Sequence, residues 1–196
     1  MNEELLERWL EDVLATPGLT SLVLPAEARR MLLDDALRVA PLVEAAGGRV
    51  IDVGSGSGSP GIPLAAALPT RGFTLLEAQR RKAQFLERAS AALPNVEVVW
   101  GRAEEQPTDA YGVALAKALA KPPVATELCL PLVRSGGIAI LWVGATASSE
   151  AVTRSAEQVG GRLESDEHGL LVVRKVAPTP PGFPRRPGIA QKRPLA

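Results

Sequence analysis

Between Arg49 and Ala65 the chain reads RVIDVGSGSGSPGIPLA. An apolar run closes on Asp52-Val53-Gly54, glycines alternate with serines through Gly58, and Ser59-Pro60 leads into a second apolar segment. The pattern is strand, glycine loop, helix. Glycines permit positive φ and carry no Cβ, so the backbone can lie against a ligand. The start of the following helix is expected to offer N–H groups without partners. Cofactor binding is the chemistry this stretch is suited to.

Two cofactor classes compete for it. Gly56, Gly58 and Gly61 satisfy the G-x-G-x-x-G of dinucleotide-binding folds. Glu77, closing the next apolar run, supplies a carboxylate for ribose hydroxyls, which both NAD and S-adenosylmethionine present. Pro60 and Pro63 remove N–H donors from the helix start, donors that a pyrophosphate needs and S-adenosylmethionine does not. Asp52, two residues before Gly54, completes D-x-G-x-G-x-G, a form that resembles the first motif of class I methyltransferases. Ala103-Glu104, after the third apolar run, resembles their adenine-contacting position.

These residues need a scaffold, and the chain supplies an alternating one. Strands are expected near 50–54, 73–77, 96–100, 112–116, 138–143 and 170–175, with helices near 60–68, 79–92, 121–133 and 147–159. Such alternation implies an α/β fold with a mainly parallel, doubly wound, Rossmann-like sheet covered on both faces. Ligands of open α/β sheets bind beyond the carboxyl ends of the strands, where the glycine loop, Glu77 and Arg102–Glu105 all fall. In front, Leu5, Leu6, Trp9, Leu10, Val13 and Leu14 share one helical face, and Pro17-Gly18 ends that helix. A second helix is expected between Pro25 and Pro41, making residues 1–44 a short helical cap on a main domain of 45–176. Residues 177–196, APTPPGFPRRPGIAQKRPLA, have neither helical nor strand period and read as an extended basic Pro/Gly-rich tail docked through Phe183.

Composition narrows the class. At 196 residues, 46% hydrophobic and 22% charged, the chain suits one globular domain with appendages. A single cysteine, Cys129 in ELCLPLV, excludes an intramolecular disulfide and a cysteine zinc cluster, and no metal is expected. The acidic first helix is unlike a signal peptide, and no window approaches the roughly 20 apolar residues of a membrane span, so a cytoplasmic protein without membrane contact is expected. The net charge is zero, but residues 1–44 hold four Lys/Arg and nine Asp/Glu while residues 174–196 hold six Lys/Arg and no acid. That asymmetry suits either local contact with a polyanion or a solvated tail.

Taken together, DVGSGSGSPGIPLA, FTLLEAQRRKAQFL, NVEVVWGRAEE and TPPGFPRRPGIAQKRPL resemble the glucose-inhibited division protein B family, from about Leu19 to the C-terminus. That family comprises bacterial small-subunit ribosomal RNA methyltransferases of the G type. The resemblance implies a class I S-adenosylmethionine-dependent methyltransferase acting at N7 of a guanine in 16S rRNA, with the small ribosomal subunit as partner. By position it implies cofactor contacts at Gly54, Ser59, Glu77, Ala103, Glu104 and Lys117, and with the loop residues Asp52, Gly56 and Gly58 these make the expected cofactor-binding set. The chain departs from the family pattern at four of its residues. Ser59 replaces a larger apolar residue, Lys117 replaces arginine, Val143 precedes Gly144 where lysine is common, and Met31 stands at a histidine position. Arginine and lysine differ in geometry, so Lys117 changes what that position can hold.

Guanine N7 carries a lone pair and no proton, so its methylation needs no general base and no catalytic acid/base residue is expected. His168, the only histidine, is read as part of a surface turn. Candidate phosphate ligands are Arg80, Arg81 and Lys82 after Glu77, and Arg185, Arg186, Lys192 and Arg193 in the tail. Three other readings stand beside this one: methyl transfer to a small molecule or protein, a non-catalytic RNA- or nucleotide-binding member of the fold, and a dinucleotide dehydrogenase.

Overall fold

The computed structural model describes residues 3–144 and 147–196. The first two residues of the expected cap, and Ala145-Thr146 before the last expected helix, lie outside the described residues. Seven strands form one sheet in the order β3-β2-β1-β4-β5-β7-β6. They are β1 (Val50–Val53), β2 (Phe73–Glu77), β3 (Val96–Trp100), β4 (Tyr111–Lys117), β5 (Val133–Trp142), β6 (Gly161–Glu167) and β7 (Leu170–Lys175). β1 to β5 pair in parallel, and β7 is antiparallel to both of its neighbours, β5 and β6.

The order of winding reverses between the parallel neighbours β1 and β4: from β1 the chain crosses outward to β2 and β3, from β4 outward on the other side to β5, so the crevice beyond Val53 and Lys117 is the switch point of the fold. Central strands are mainly apolar because both faces are covered: Val50–Val53 and Phe73–Glu77 are buried at every residue, Asp52, Thr74 and Glu77 included. One face packs α5 (Gly61–Ala67), α6 (Arg80–Ala89) and the front helices around Trp9, Phe73 and Phe85. The other packs α7 (Pro122–Cys129) and α8 (Ser149–Gln158) around Ile51, Leu130 and Leu171. Cys129 belongs to this second core.

In front, α1 (Glu3–Ala15) buries Leu6, Trp9, Leu10 and Val13, the stripe expected from its period. The second helical stretch differs from expectation in kind. It begins as α2 (Pro25–Ala28), widens into a π-helical segment over Arg29–Asp34, and ends as α3 (Asp35–Leu37). A further helix, α4 (Ala40–Ala46), starts where Pro41 was expected to mark an end, because proline is tolerated in the first helical turn.

Two other expectations need correction. β6, GRLESDE, has no counterpart in the sequence reading, since an outer strand that is half charged carries no apolar run. The tail is not wholly extended: α9 (Ile189–Lys192) forms one turn within it, and Phe183 packs against the second core. Among the described residues no helix is long and apolar enough to cross a membrane.

Candidate functional site

At the carboxyl ends of β1, β2 and β4 lies a cavity of about 680 Å³. Its floor is Val53 and Leu76. One side is the glycine loop, another the Ala78-Gln79 and Gly101–Glu104 turns, and the far walls come from Leu19–Ser21 and from Gly188 to Gln191 of the tail.

The loop is shaped by what its backbone must avoid. Gly54 has φ +72, and a Cβ there would stand 2.6 Å from Leu119 Cδ1, so only glycine lets the turn leave β1. Gly54 and Ser55 N–H donate to Leu76 O at 2.8 and 3.0 Å, which binds the turn to β2. From the front, Trp9 Nε1 donates to Ser57 O at 2.8 Å and Ser59 Oγ to Leu32 O at 2.7 Å. The loop is therefore held between the sheet and the front helices, and Ser59 commits its hydroxyl to that tether while lining the cavity. Gly56 also lines it; Gly58 does not, and turns back through its N–H to Ser55 O at 2.7 Å.

The start of α5 overturns the expectation of free amides. Gly61 N–H donates to Asp52 Oδ2 at 3.1 Å, Ile62 N–H to Gly58 O at 2.7 Å and Leu64 N–H to Pro60 O at 3.2 Å, while Pro63 has none. Every amide of that first turn is occupied, so it has no donor to give a phosphate. Asp52 is corrected with it. Its carboxyl lies behind the loop rather than on the cavity wall, fully buried, and burial pushes its pKa up to about 7. Oδ1 has no hydrogen-bond partner.

Glu77 does line the cavity, at the end of β2. Oε2 accepts from Gly56 N–H at 3.0 Å and Oε1 from Gln79 N–H at 2.7 Å, which fixes the carboxylate and leaves lone pairs on both oxygens. Across the cavity Ala103 is buried, and Glu104 Oε1 accepts from Gly188 N–H at 2.9 Å. Ala103 and Glu104 thus both line the cavity, and Glu104 also serves as a latch for the tail.

Lys117, ending β4, lines the opposite side. Its Nζ donates to Met31 O and, at 2.6 Å, to Asp35 Oδ2, tying the strand end to the π-helical segment; its ammonium also lies 5.8 Å from the Trp142 ring centre. A lysine can make this reach as a single donor head, and Met31 serves through its carbonyl, for which the side chain is immaterial.

The basic residues divide. Arg80, Arg81 and Lys82 open α6 at the cavity rim, Lys82 lining it and Arg81 Nη2 donating to Pro17 O at 2.8 Å. Arg186, Lys192 and Arg193 are exposed. Arg185 has a different task from the expected phosphate contact. Its guanidinium meets both oxygens of Glu127 at 2.5 Å, donates to Arg193 O at 2.8 Å, and has its pKa raised by the Glu127 bond. Glu127 is 2% exposed, so Arg185 neutralises a buried charge and anchors the tail. A second anchor lies upstream, where buried Lys175 donates to Leu130 O at 3.0 Å and Thr179 Oγ1 at 2.7 Å, and desolvation lowers its pKa.

His168 sits in the β6–β7 turn at φ +53, exposed and away from the cavity. Cys129 is buried, which pushes its thiol up and keeps it inert. Among the described residues no three His, Cys, Asp or Glu gather as a metal site. The sequence reading does not anticipate the walls made by Leu19–Ser21, Ala118-Leu119 and Gly188–Gln191. Ala118, at φ +55, carries no local signal.

Solved structures share this architecture. An S-adenosylmethionine-dependent O-methyltransferase from Thermotoga maritima superposes with TM-score 0.61 over 88% of this chain and 72% of its own, at 15% identity. The antibiotic-resistance methyltransferase Kmr gives 0.53 over 70% and 93%, at 18% identity. These likenesses show the fold, that of class I S-adenosylmethionine-dependent methyltransferases. Closer in sequence are proteins named ribosomal RNA small subunit methyltransferase G. That of Synechococcus sp. (strain JA-2-3B'a(2-13)) is 37% identical, covering 92% of this chain and 79% of its own. That of Pelotomaculum thermopropionicum is 38% identical, covering 81% and 74%. The model of the GidB family, rRNA small subunit methyltransferase G, matches residues 2–166, and the chain belongs to that family.

Proposed function

We propose that this protein transfers a methyl group from S-adenosylmethionine to N7 of a guanine in 16S rRNA. The observation that carries the cofactor is the occupied first turn of α5 beside the fixed carboxylate of Glu77. A dinucleotide needs amides for its pyrophosphate, and this turn has none to give. S-adenosylmethionine has a ribose diol for Glu77 and no phosphate. Membership of the family, and the name its members carry, support rRNA of the small subunit as the acceptor.

When bound, S-adenosylmethionine supplies a methyl on a cationic sulfur; the N7 lone pair takes that carbon, the C–S pair stays on sulfur, and no proton is released. The chain's part is then to bind, align and exclude water. In this reading Gly54, Gly56 and Ser59 bring backbone against the methionine portion, Glu77 holds the ribose, and Ala103 with Glu104 borders the adenine. Lys117 fixes the end of β4 against Asp35 and Met31, which sets the cavity's acceptor side. Arg80, Arg81, Lys82, Arg186, Lys192 and Arg193 contact phosphates. Residues 1–44, 45–176 and 177–196 act as cap, transferase domain and closing tail of one cytoplasmic enzyme.

Labelled methyl from S-adenosylmethionine, offered to purified small subunits, naked rRNA and total protein, tests this. Label at a guanine N7 of 16S rRNA is expected. Label in protein alone, or calorimetric binding of NAD without a response to S-adenosylhomocysteine, overturns it.

A further inference from the structure

The rim of the cavity carries a large aromatic ring that methyl transfer as described does not use. Trp100 ends β3, the edge strand, and is 60% exposed. It shares the side of Val96 and Val98, which pack into the core beside Phe85 and Leu86 of α6. At the strand's end α6 has only begun, so the ring that continues this stripe is left open to water. A tryptophan so placed forgoes the burial that makes large rings stabilising.

The ring is nevertheless held. Its Nε1 donates to Ala78 O at 3.1 Å, and Arg80, the first residue of α6, places its guanidinium carbon 5.3 Å from the ring centre. Trp100 is the register partner of Glu77, and its neighbours Gly101 and Arg102 line the cavity with Ala78 and Lys82. The surroundings are mainly cationic: Arg80 and Arg102 are exposed and Lys82 is at the rim, while the acids nearest in sequence are engaged, Glu97 with Arg49 at 2.8 Å, Glu104 with Gly188 N–H and Glu105 with Arg102 N–H at 3.3 Å.

We propose that Trp100 and Arg80 form a stacking platform for an unpaired base of the RNA substrate, beside the cavity that holds the cofactor. The proposal rests on the RNA-methylating function above. Proteins read single-stranded RNA by stacking splayed bases on aromatic rings and guanidinium planes. A nucleotide extruded toward a catalytic pocket leaves its neighbours unstacked, and a fixed ring at the rim offsets that loss. The adjacent arginines and Lys82 receive the phosphates on either side of the stacked base. Stacking does not distinguish bases strongly, so the platform raises affinity for single strands more than it selects sequence.

Two variants of the full chain test it. Trp100→Ala is expected to raise KM for rRNA about tenfold, the scale of one lost base stack, with kcat and calorimetric affinity for S-adenosylhomocysteine unchanged; Trp100→Phe restores KM to within about threefold. A single-stranded oligonucleotide is expected to quench the emission of the wild type, because Trp9 is buried and Trp142 partly so. Trp100→Phe should bind the oligonucleotide with the quench gone. An unchanged KM in Trp100→Ala, or a loss confined to S-adenosylhomocysteine affinity, overturns the platform. A wild type that labels no RNA refutes the functional reading instead, and the quench, which needs no turnover, still decides the platform.

Discussion

Replacing Asp52 by asparagine separates a buried charge from the site it underlies. Burial raises the Asp52 carboxyl from 3.8 to about 7, with Glu77 adding to the rise and the Gly61 amide opposing it. Between those two values the folded protein holds a proton that the unfolded chain has released, so stability falls as pH rises through the window and levels off above about 7. Three units at ~1.36 kcal/mol each make this a penalty on the order of 4 kcal/mol at pH 8. The substituted side chain carries no charge, and its carbonyl can still accept from Gly61 N–H. Its amide nitrogen takes the place of Oδ1, which has no partner, at a cost of about 1–3 kcal/mol at any pH. Urea unfolding of both proteins at intervals from pH 4 to 8 gives the difference between them, in which all other titrating groups cancel. Asp52→Asn should be the less stable at pH 4 and the more stable at pH 8, with the crossing inside the window. Because Asp52 stands behind the loop, S-adenosylhomocysteine affinity should change by less than about threefold, since no direct contact is lost. A stability difference that does not move with pH would refute the buried-acid argument, and a large loss of affinity would put the carboxyl back among the cofactor's contacts.

Glu77→Gln keeps the size of the side chain and removes the charge from two hydrogen bonds, those from Gly56 and Gln79 N–H. Calorimetry should show S-adenosylhomocysteine binding weakened by about ten- to a hundredfold, from about 1.5–3 kcal/mol per charged bond; equal affinity would place the ribose elsewhere. Arg185→Ala leaves Glu127 buried without its partner and should cost about 3–5 kcal/mol in denaturant unfolding. The double variant with Glu127→Ala should recover much of that, and a failure to recover would mean that the pair does not act as a unit. Arg186→Ala and Lys192→Ala should each flatten the dependence of rRNA affinity on salt by about one unit of slope, whereas Arg185→Ala should leave it alone. An unchanged slope in the first two would remove the tail from the RNA surface.

What is legible in the sequence follows from range. The course from Val50 through the glycine loop into α5 is local: β-branched residues, then glycines, then prolines at a helix start, each with a conformational preference that acts within a few residues. Strands with both faces buried announce themselves as apolar runs, which is why β1, β2, β4 and β7 are readable close to their true bounds. The outer strand β3 is readable at its true bounds from VEVVW, whereas β6, the other outer strand, is not, because four of its seven residues are charged. The first residues of β5, Val133–Gly137, escape for another reason: Gly137 there admits the Gly112 carbonyl, a long-range contact with no local period. Of the site, Glu77 and the loop glycines are readable from type and spacing. The occupied amides of α5 are not, since Asp52 reaches Gly61 across nine residues. Nor is Arg185's turn inward, which depends on Glu127, 58 residues away.

The long-range contacts that sequence reading misses are concentrated at the cavity. Its front wall hangs from Ser57 and Ser59 through Trp9 and Leu32, its acceptor side from Lys117 through Asp35, and its tail wall from Glu104 and Glu127 through Gly188 and Arg185. Each wall is therefore set by contacts between segments far apart in sequence, added to the packing of α1 and Phe183 into the two cores. Glu104 is where wall and fold meet most directly, since the side chain that lines the cavity also receives Gly188 N–H at 2.9 Å and so seats the tail wall.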